Sequence, residues 1–210
     1  LQDEATRGIR QLTNELSGLS GPLGTIARGA VAAGAALAAV ATGVGAVGIN
    51  FLRMRESSEI GLGFVLRNAQ LARDMIADLV QFSLRNPVPI EPLIQAARVM
   101  AGYGMEATKV LPTLKAIANA NAAIGGTTDQ FNRIAYAIAQ VEAKGRVQAE
   151  EIRQLANAGI PAMAILAEKT GMTQAQLLQA MKQGKLGIES VSQLIQGIQE
   201  RFNGALAASA

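Results

Sequence analysis

The chain has 210 residues, of which 50% are hydrophobic and only 3% aromatic, and its formal net charge is +3. It contains no cysteine and no histidine, which excludes disulfides, thiolate nucleophiles, Ser-His catalysis and the usual zinc ligand sets. So small a basic surplus does not by itself indicate a nucleic-acid binder, which gathers lysine and arginine on one face.

In the N-terminal quarter, the apolar residues have the spacing that is typical of helices wound around one another. Residues 2–19 predict an amphipathic helix, and after a break at 17–22 an apolar run extends from Leu23 to Met54. Its larger residues recur at intervals of three and four, which is typical of coiled coils. From this spacing we predict a self-association seam formed by Ile26, Leu37, Val40, Val44, Val47 and Phe51.

The other positions of the same run are small or apolar, with no charge between Arg28 and Arg53. A helix that is apolar on every side is buried on every side, so it must meet lipid or a protein wall. As a helix, the stretch 29–52 would be roughly 36 Å long, enough to cross a bilayer. Alanine and glycine drive membrane insertion weakly and favour close helix contacts, so we expect packing against copies of the chain. A single apolar core helix is the alternative.

A polar collar at 53–59 follows the apolar run, and we divide the chain there into a hydrophobic helical segment, 1–59, and a helical domain, 60–210. Beyond the collar, apolar residues recur every three or four positions with charged residues between them, which predicts one amphipathic helix over Leu62–Leu79. The proline-rich stretch Asn86–Pro92 predicts a further domain boundary or an elbow.

Shorter helices follow, each delimited by glycine, proline or a capping sequence. Capping boxes are predicted at Thr127–Gln130 and Thr173–Gln176, Pro112 is expected to start a new helix, and the last helix begins after Gly187. The expected helix stops are Gly102, Gly104, Gly125, Gly126, Gly145, Gly159 and Gly171. No strand-like alternation is long enough to predict a strand. The predicted fold class is all-α, with a long coiled-coil-like apolar helix followed by a compact bundle of short helices.

The most distinctive stretch runs from Gln140 to Pro161. It predicts a helix end, a turn, a helix begun by two acids, and a glycine stop followed by proline. A well-capped helical hairpin accounts for every one of these residues. We define the motif by Gln140, Lys144, Gly145, Glu150, Glu151, Gln154, Leu155, Gly159, Ile160 and Pro161.

This motif resembles the signature of the tape measure domain of long-tailed phage tape measure proteins. The resemblance extends upstream to Leu111–Gly126 and downstream to Gly184–Leu186 and Glu200–Gly204, and it covers residues 61–207. It implies a structural protein of the tail lumen or tip, assembled in the host cytoplasm, that sets tail length and takes part in genome ejection.

The same resemblance implies several copies side by side, and a trimer or hexamer would suit the symmetry of a tail. It implies tail tube and tail tip or baseplate proteins as partners, with the host membrane as a further partner during ejection. A helix gains only about 1.5 Å per residue, so a tail-length ruler must be far longer than 210 residues. We therefore expect this chain to be one portion of a larger protein.

Three alternatives are compatible with the residues. Paired acids such as Glu150 and Glu151 could serve an enzyme, but capping or solvated roles are commoner, and we predict no catalytic residue, metal or cofactor. The segments Thr173–Met181 and Ile188–Phe202 could form a helix-turn-helix. The second segment opens without residues suited to base edges, so we expect no sequence-specific nucleic acid. A membrane-inserting pore built on 29–52 is the third alternative.

Overall fold

A computed structural model of the protein describes residues 45–208, with side chains from Arg53 onward. The described residues form ten α-helices and no strand, which confirms the all-α class for this part of the chain. The helices are α1 Gly45–Leu66, α2 Ala69–Arg85, α3 Ile90–Gly102, α4 Ala107–Ala123, α5 Thr128–Lys144, α6 Ala149–Asn157, α7 Ala162–Thr170, α8 Gln174–Lys182, α9 Ile188–Arg201 and α10 Ala205–Ala208.

Ser57–Ala210 forms one compact unit, and the contacts given below lie within it. The coiled-coil arrangement and the boundary after residue 59 stay predictions. Four seam residues, Ile26, Leu37, Val40 and Val44, lie outside the described residues. Val47 and Phe51 lie in α1, before the first described side chain.

The single helix predicted over Leu62–Leu79 is wrong, because the chain breaks at Arg67 and Asn68. Arg67 takes a left-handed backbone, with φ +53°, and the Asn68 N–H donates to the Gly63 carbonyl at 3.2 Å. This closes α1 in the way that glycine usually does. The Asn68 side chain then accepts the Leu71 N–H at 3.0 Å and caps the start of α2.

Pro112 was also predicted wrongly, since it lies inside α4 and does not start a new helix. Proline in a helix interior removes the amide that would bond to the carbonyl four residues earlier, here Thr108. Both residues are exposed, so water can take the place of the missing amide. Packing along the rest of α4 then outweighs the local preference for a break.

The proline-rich stretch Asn86–Pro92 is an elbow inside the compact unit. The Ser83 hydroxyl donates to the Val88 carbonyl at 2.7 Å, and the Asn86 amide donates to the Phe82 carbonyl at 2.8 Å. These two bonds hold the turn between α2 and α3, which pack against each other and, with α4, share one core. No second core begins at this point of the chain.

The core is built around α4 and α5. Helices α2, α3, α5, α9 and α10 pack on α4, while α3, α4, α6 and α9 pack on α5. The side chain of Asn119 on α4 accepts the Leu206 N–H of α10 at 3.0 Å. The largest fully buried side chains are Leu62, Ile76, Leu79, Leu93, Met100, Leu114, Ile117, Ile134, Ile138, Leu155, Ile160 and Ile165. Each such side chain removed from water contributes about 1.5–3 kcal/mol.

The helix ends follow the sequence predictions closely. Thr127 with Gln130, and Thr173 with Gln176, form complete capping boxes at the starts of α5 and α8. The glycines predicted to stop helices at 104, 125, 145, 159 and 171 all adopt positive φ. On α9, Val191, Leu194 and Ile198 are buried, whereas Ile195 and Phe202 are only half-buried.

Helices α7 and α9 approach closely because Gly197 lies at their contact. A Cβ atom at Gly197 would lie 2.3 Å from Cγ2 of Ile165 on α7. Ion pairs between Lys169 and Glu200, and between Glu168 and Arg201, flank this contact. Since a side chain at 197 would force the helices apart, the glycine sets their separation.

No helix between residues 45 and 208 combines the length and the apolar character needed to cross a membrane. The run predicted to be long enough, 29–52, lies mostly outside this range.

Candidate functional site

The motif begins at the end of α5, where the structure places a tight turn. Lys144 is the last residue of α5, and Gly145 follows with φ +60°. The Val147 N–H then donates to the Leu186 carbonyl at 2.8 Å. This bond ties the α5–α6 turn to the connection between α8 and α9, so the motif joins two parts of the bundle that are distant in sequence.

Glu151 is the one acidic residue that the described chain buries almost completely, with a side-chain exposure of 1%. One of its oxygens, Oε1, accepts from the Lys144 ammonium, and that ammonium also donates to Gln148 at 3.1 Å. The other oxygen, Oε2, has no partner. A buried carboxylate requires a counter-charge, so Lys144 holds the start of α6 against the end of α5.

The end of α6 is closed by a Schellman motif, in which two N–H groups after the helix reach back to its last turn. The Gly159 N–H donates to the Ala156 carbonyl at 2.9 Å, and the Ile160 N–H donates to the Leu155 carbonyl at 2.9 Å. Leu155 and Ile160 are both fully buried, as expected for the apolar contact of this motif. Gly159 has φ +92°, a conformation that favours glycine.

The remaining motif residues lie in different surroundings. Glu150 accepts from Arg153 and Gln154 on the exposed side of α6, and Pro161 leads into α7. Gln140 is half-buried on α5, and its Oε1 atom has no partner. The structure therefore brings the motif together as a helical hairpin, with its buried residues at the turns and helix ends.

Gln154 also lines a cleft of about 510 Å³ between α3, α5 and α6. We call this the amide cleft, because side-chain amides dominate its polar lining. The polar residues of the amide cleft are Gln95, Asn132, Arg133, Tyr136, Gln154 and Asn157. Its apolar floor consists of two alanines and Val99, which are too short to fill it. The volume lies in the range of ordinary ligand sites.

Tyr136, which lines the amide cleft, forms a pair with Tyr103. The hydroxyls of Tyr103 and Tyr136 are hydrogen-bonded at 2.9 Å, and the rings meet edge to face with centroids 5.7 Å apart. The hydrogen bond with Tyr103 raises the pKa of Tyr136 above its ordinary value of 10.0, and charge repulsion between the two groups adds to the effect. The pair fixes the end of α3 to the middle of α5.

The helix-turn-helix alternative finds no support in the packing. Helix α8 packs against α6 and α7, whereas α9 packs mainly against α7, α4 and α5. A recognition helix and its partner need a shared contact to enter a groove as one unit. Within residues 45–208, no group of three or more acidic side chains is placed to hold a metal ion.

Sequence reasoning missed the amide cleft, the tyrosine pair and the close approach at Gly197. Each depends on residues from helices that are distant in sequence, so no local pattern reveals them. The one signal that the sequence offered was the scarcity of tyrosine, with two residues in 210, and it does not show that the two are in contact.

The fold and the motif define an all-α structural module whose distinctive residues close helix ends and hold turns together. Residues 48–210 match the family model for tape measure protein, and the chain belongs to that family. Neither the curated proteins nor the solved structures gave a match. The resemblance drawn from the motif is thereby confirmed. Tape measure proteins are structural proteins of phages, which makes this chain a component of a phage tail.

Proposed function

We propose that this chain lies in the lumen or tip of the tail, sets tail length during assembly and takes part in genome ejection. The match of residues 48–210 to the tape measure family carries the proposal. The apolar run Leu23–Met54, which carries no charge between Arg28 and Arg53, supports it, since a tube lumen supplies the protein wall that a helix apolar on all sides requires.

The two parts of the chain would contribute differently to length. Residues from Ser57 onward fold into a compact unit of short helices, so they do not add 1.5 Å of length for each residue. An extended helix over the apolar run would add length in that proportion. The ruler function is therefore assigned to the apolar run, and the bundle is assigned to a fixed position in the tail.

The test is tail length, measured by electron microscopy on particles with an altered tape measure protein. Deletion of Leu23–Asn50 removes four heptads, and as an extended helix these correspond to roughly 42 Å. Tandem duplication of the same residues provides the matched experiment, with an expected lengthening of roughly 42 Å.

A tail shortened by the deletion and lengthened by the duplication, each by roughly 42 Å, would support a ruler role for the apolar run. Unchanged length in both particles, with infectivity lost, would contradict the ruler role and place the run in a folded element near the tip. The duplication is informative even where the deletion prevents assembly, because it keeps every native residue.

We further propose that the chain acts as a trimer or hexamer through the seam. Replacing Leu37 and Val44 by Glu puts two charges in the seam and is expected to reduce the oligomer, because like charges facing one another repel. Glu at Leu84 and Ile188, which are exposed on the bundle, gives a control with the same added charge. Analytical ultracentrifugation that finds the same mass for both variants would refute the seam.

A role in ejection would bring the apolar run to the host membrane and the bundle to tail tube and tip or baseplate proteins. The same two variants test the membrane contact through leakage from liposomes. The proposal expects the Leu37 and Val44 double variant to lose leakage, with the bundle still folded by circular dichroism. Leakage equal to that of the unaltered chain would count against a membrane role.

A further inference from the structure

The amide cleft contains polar side chains that the fold leaves without partners. Within residues 53–208, the side chains of Gln95, Arg133 and Asn157 make no hydrogen bond or ion pair. Asn132 is half-buried, and its Oδ1 atom is shielded from solvent without a partner. A buried acceptor left unpaired costs about 1–3 kcal/mol. Gln95, Arg133 and Asn157 are exposed to water, so this cost falls on Asn132 alone. A ligand toward which the Asn132 amide turned would supply the missing donor and remove the cost.

The chemistry of the lining selects the kind of ligand. Asn and Gln side chains both donate and accept, so they match groups that alternate donors with acceptors. An extended peptide offers its main-chain N–H and C=O groups in that form, whereas a helix satisfies them internally. The floor of the cleft is formed by Ala96, Val99 and Ala135, which leave room for a backbone to lie close.

Arg133 adds a charge preference. It is the sole charged residue lining the amide cleft, and it is exposed and unpaired in the described structure. A guanidinium in this position binds a carboxylate through two parallel hydrogen bonds. The preferred ligand is therefore an extended segment that carries an acidic side chain.

We infer that the amide cleft is a docking site for an extended, acidic peptide segment of a partner protein. Asn132, Asn157, Gln95 and Gln154 would bond to its main chain, and Arg133 would bind its carboxylate. This site does not depend on the seam or on the ruler function, so tail-length experiments leave it untouched.

The experiment measures fluorescence anisotropy of three fluorescein-labelled decapeptides with the whole 210-residue chain. The peptides alternate alanine with glutamate, glutamine or lysine. The glutamate peptide should bind about tenfold more tightly than the glutamine peptide, because a hydrogen bond to a charged group is the stronger one. Arg133→Gln should abolish that difference, and Asn132→Leu should weaken binding of the glutamate and glutamine peptides alike.

The matched control is Arg73→Gln, which changes the net charge equally and lies on α2, away from the cleft lining. It should keep the preference for glutamate. The same loss of preference in Arg73→Gln would show general attraction to a basic protein and overturn the site. Failure of the glutamate peptide to bind at millimolar chain concentration would overturn it as well. So would displacement of the peptide by maltoheptaose, which would assign the cleft to a carbohydrate.

Discussion

Removing the Lys144 ammonium should destabilise the bundle through Glu151. In Lys144→Met the aliphatic stem is kept, and the buried carboxylate loses its counter-charge. Breaking a fully buried ion pair in this way costs about 3–5 kcal/mol. Lys144 is 42% exposed, so water offsets part of that cost, and we expect about 2 kcal/mol. In a chain of this size the melting temperature should fall by about 4–8 °C.

The assay is urea and thermal unfolding followed by circular dichroism, with Glu151→Gln and the double variant measured alongside. When residue 151 is a neutral amide, the Lys144→Met change should cost only about 0.5 kcal/mol, since no charge is left stranded. Arg153→Met removes a partner from the exposed Glu150 and should cost about 0.5 kcal/mol or less. A buried charge on Glu151 is refuted as the cause if Lys144→Met costs no more than Arg153→Met. It is also refuted if Lys144→Met costs the same whether residue 151 is Gln or Glu.

Single substitutions test the backbone strain at two positions and the tyrosine pair. Gly159→Ala should lower the free energy of unfolding by about 1–2 kcal/mol in urea titrations, because residue 159 has φ +92°. The control is Gly102→Ala, which should be neutral or slightly stabilising, because an added Cβ atom at residue 102 meets no neighbouring atom. Arg67→Gly should raise that free energy by about 0.5 kcal/mol, and a decrease would show that the Arg67 side chain outweighs its backbone strain. Tyr103→Phe leaves Tyr136 as the sole tyrosine, and alkaline absorbance titration should show its pKa falling back toward 10.0. Because folding raises that pKa, the stability from the pair is present below pH 10 and is lost as the pH rises through the folded value.

The sequence was most informative where one short stretch determines the structure. The capping box of Thr127 and Gln130 needs only residues three apart, and it formed as predicted. The break at Arg67 was hidden because the residue in the left-handed turn is not glycine. Pro112 gave the opposite error, because a helix break was predicted there and the helix continues. Long-range packing along α4 outweighed the local preference of proline.

The candidate site was predictable only as a hairpin. The two acids at the start of α6 were expected to complement the helix dipole, and the exposed Glu150 fits that expectation. The burial of Glu151 against Lys144 depends on the angle between two helices, which sequence spacing does not give. The amide cleft needs three helices in place at once, so its residues carry no shared pattern along the chain.

The bond between Asn119 and Leu206 has a consequence for synthesis on the ribosome. Its partners are 87 residues apart in the chain, and Leu206 covers α4, one of the two central helices. A nascent chain that has released α4 and α5 still exposes apolar surface until α10 emerges, and such surface is prone to aggregate. We expect this domain to depend on chaperone protection for most of its translation, and to become resistant to protease in one late step.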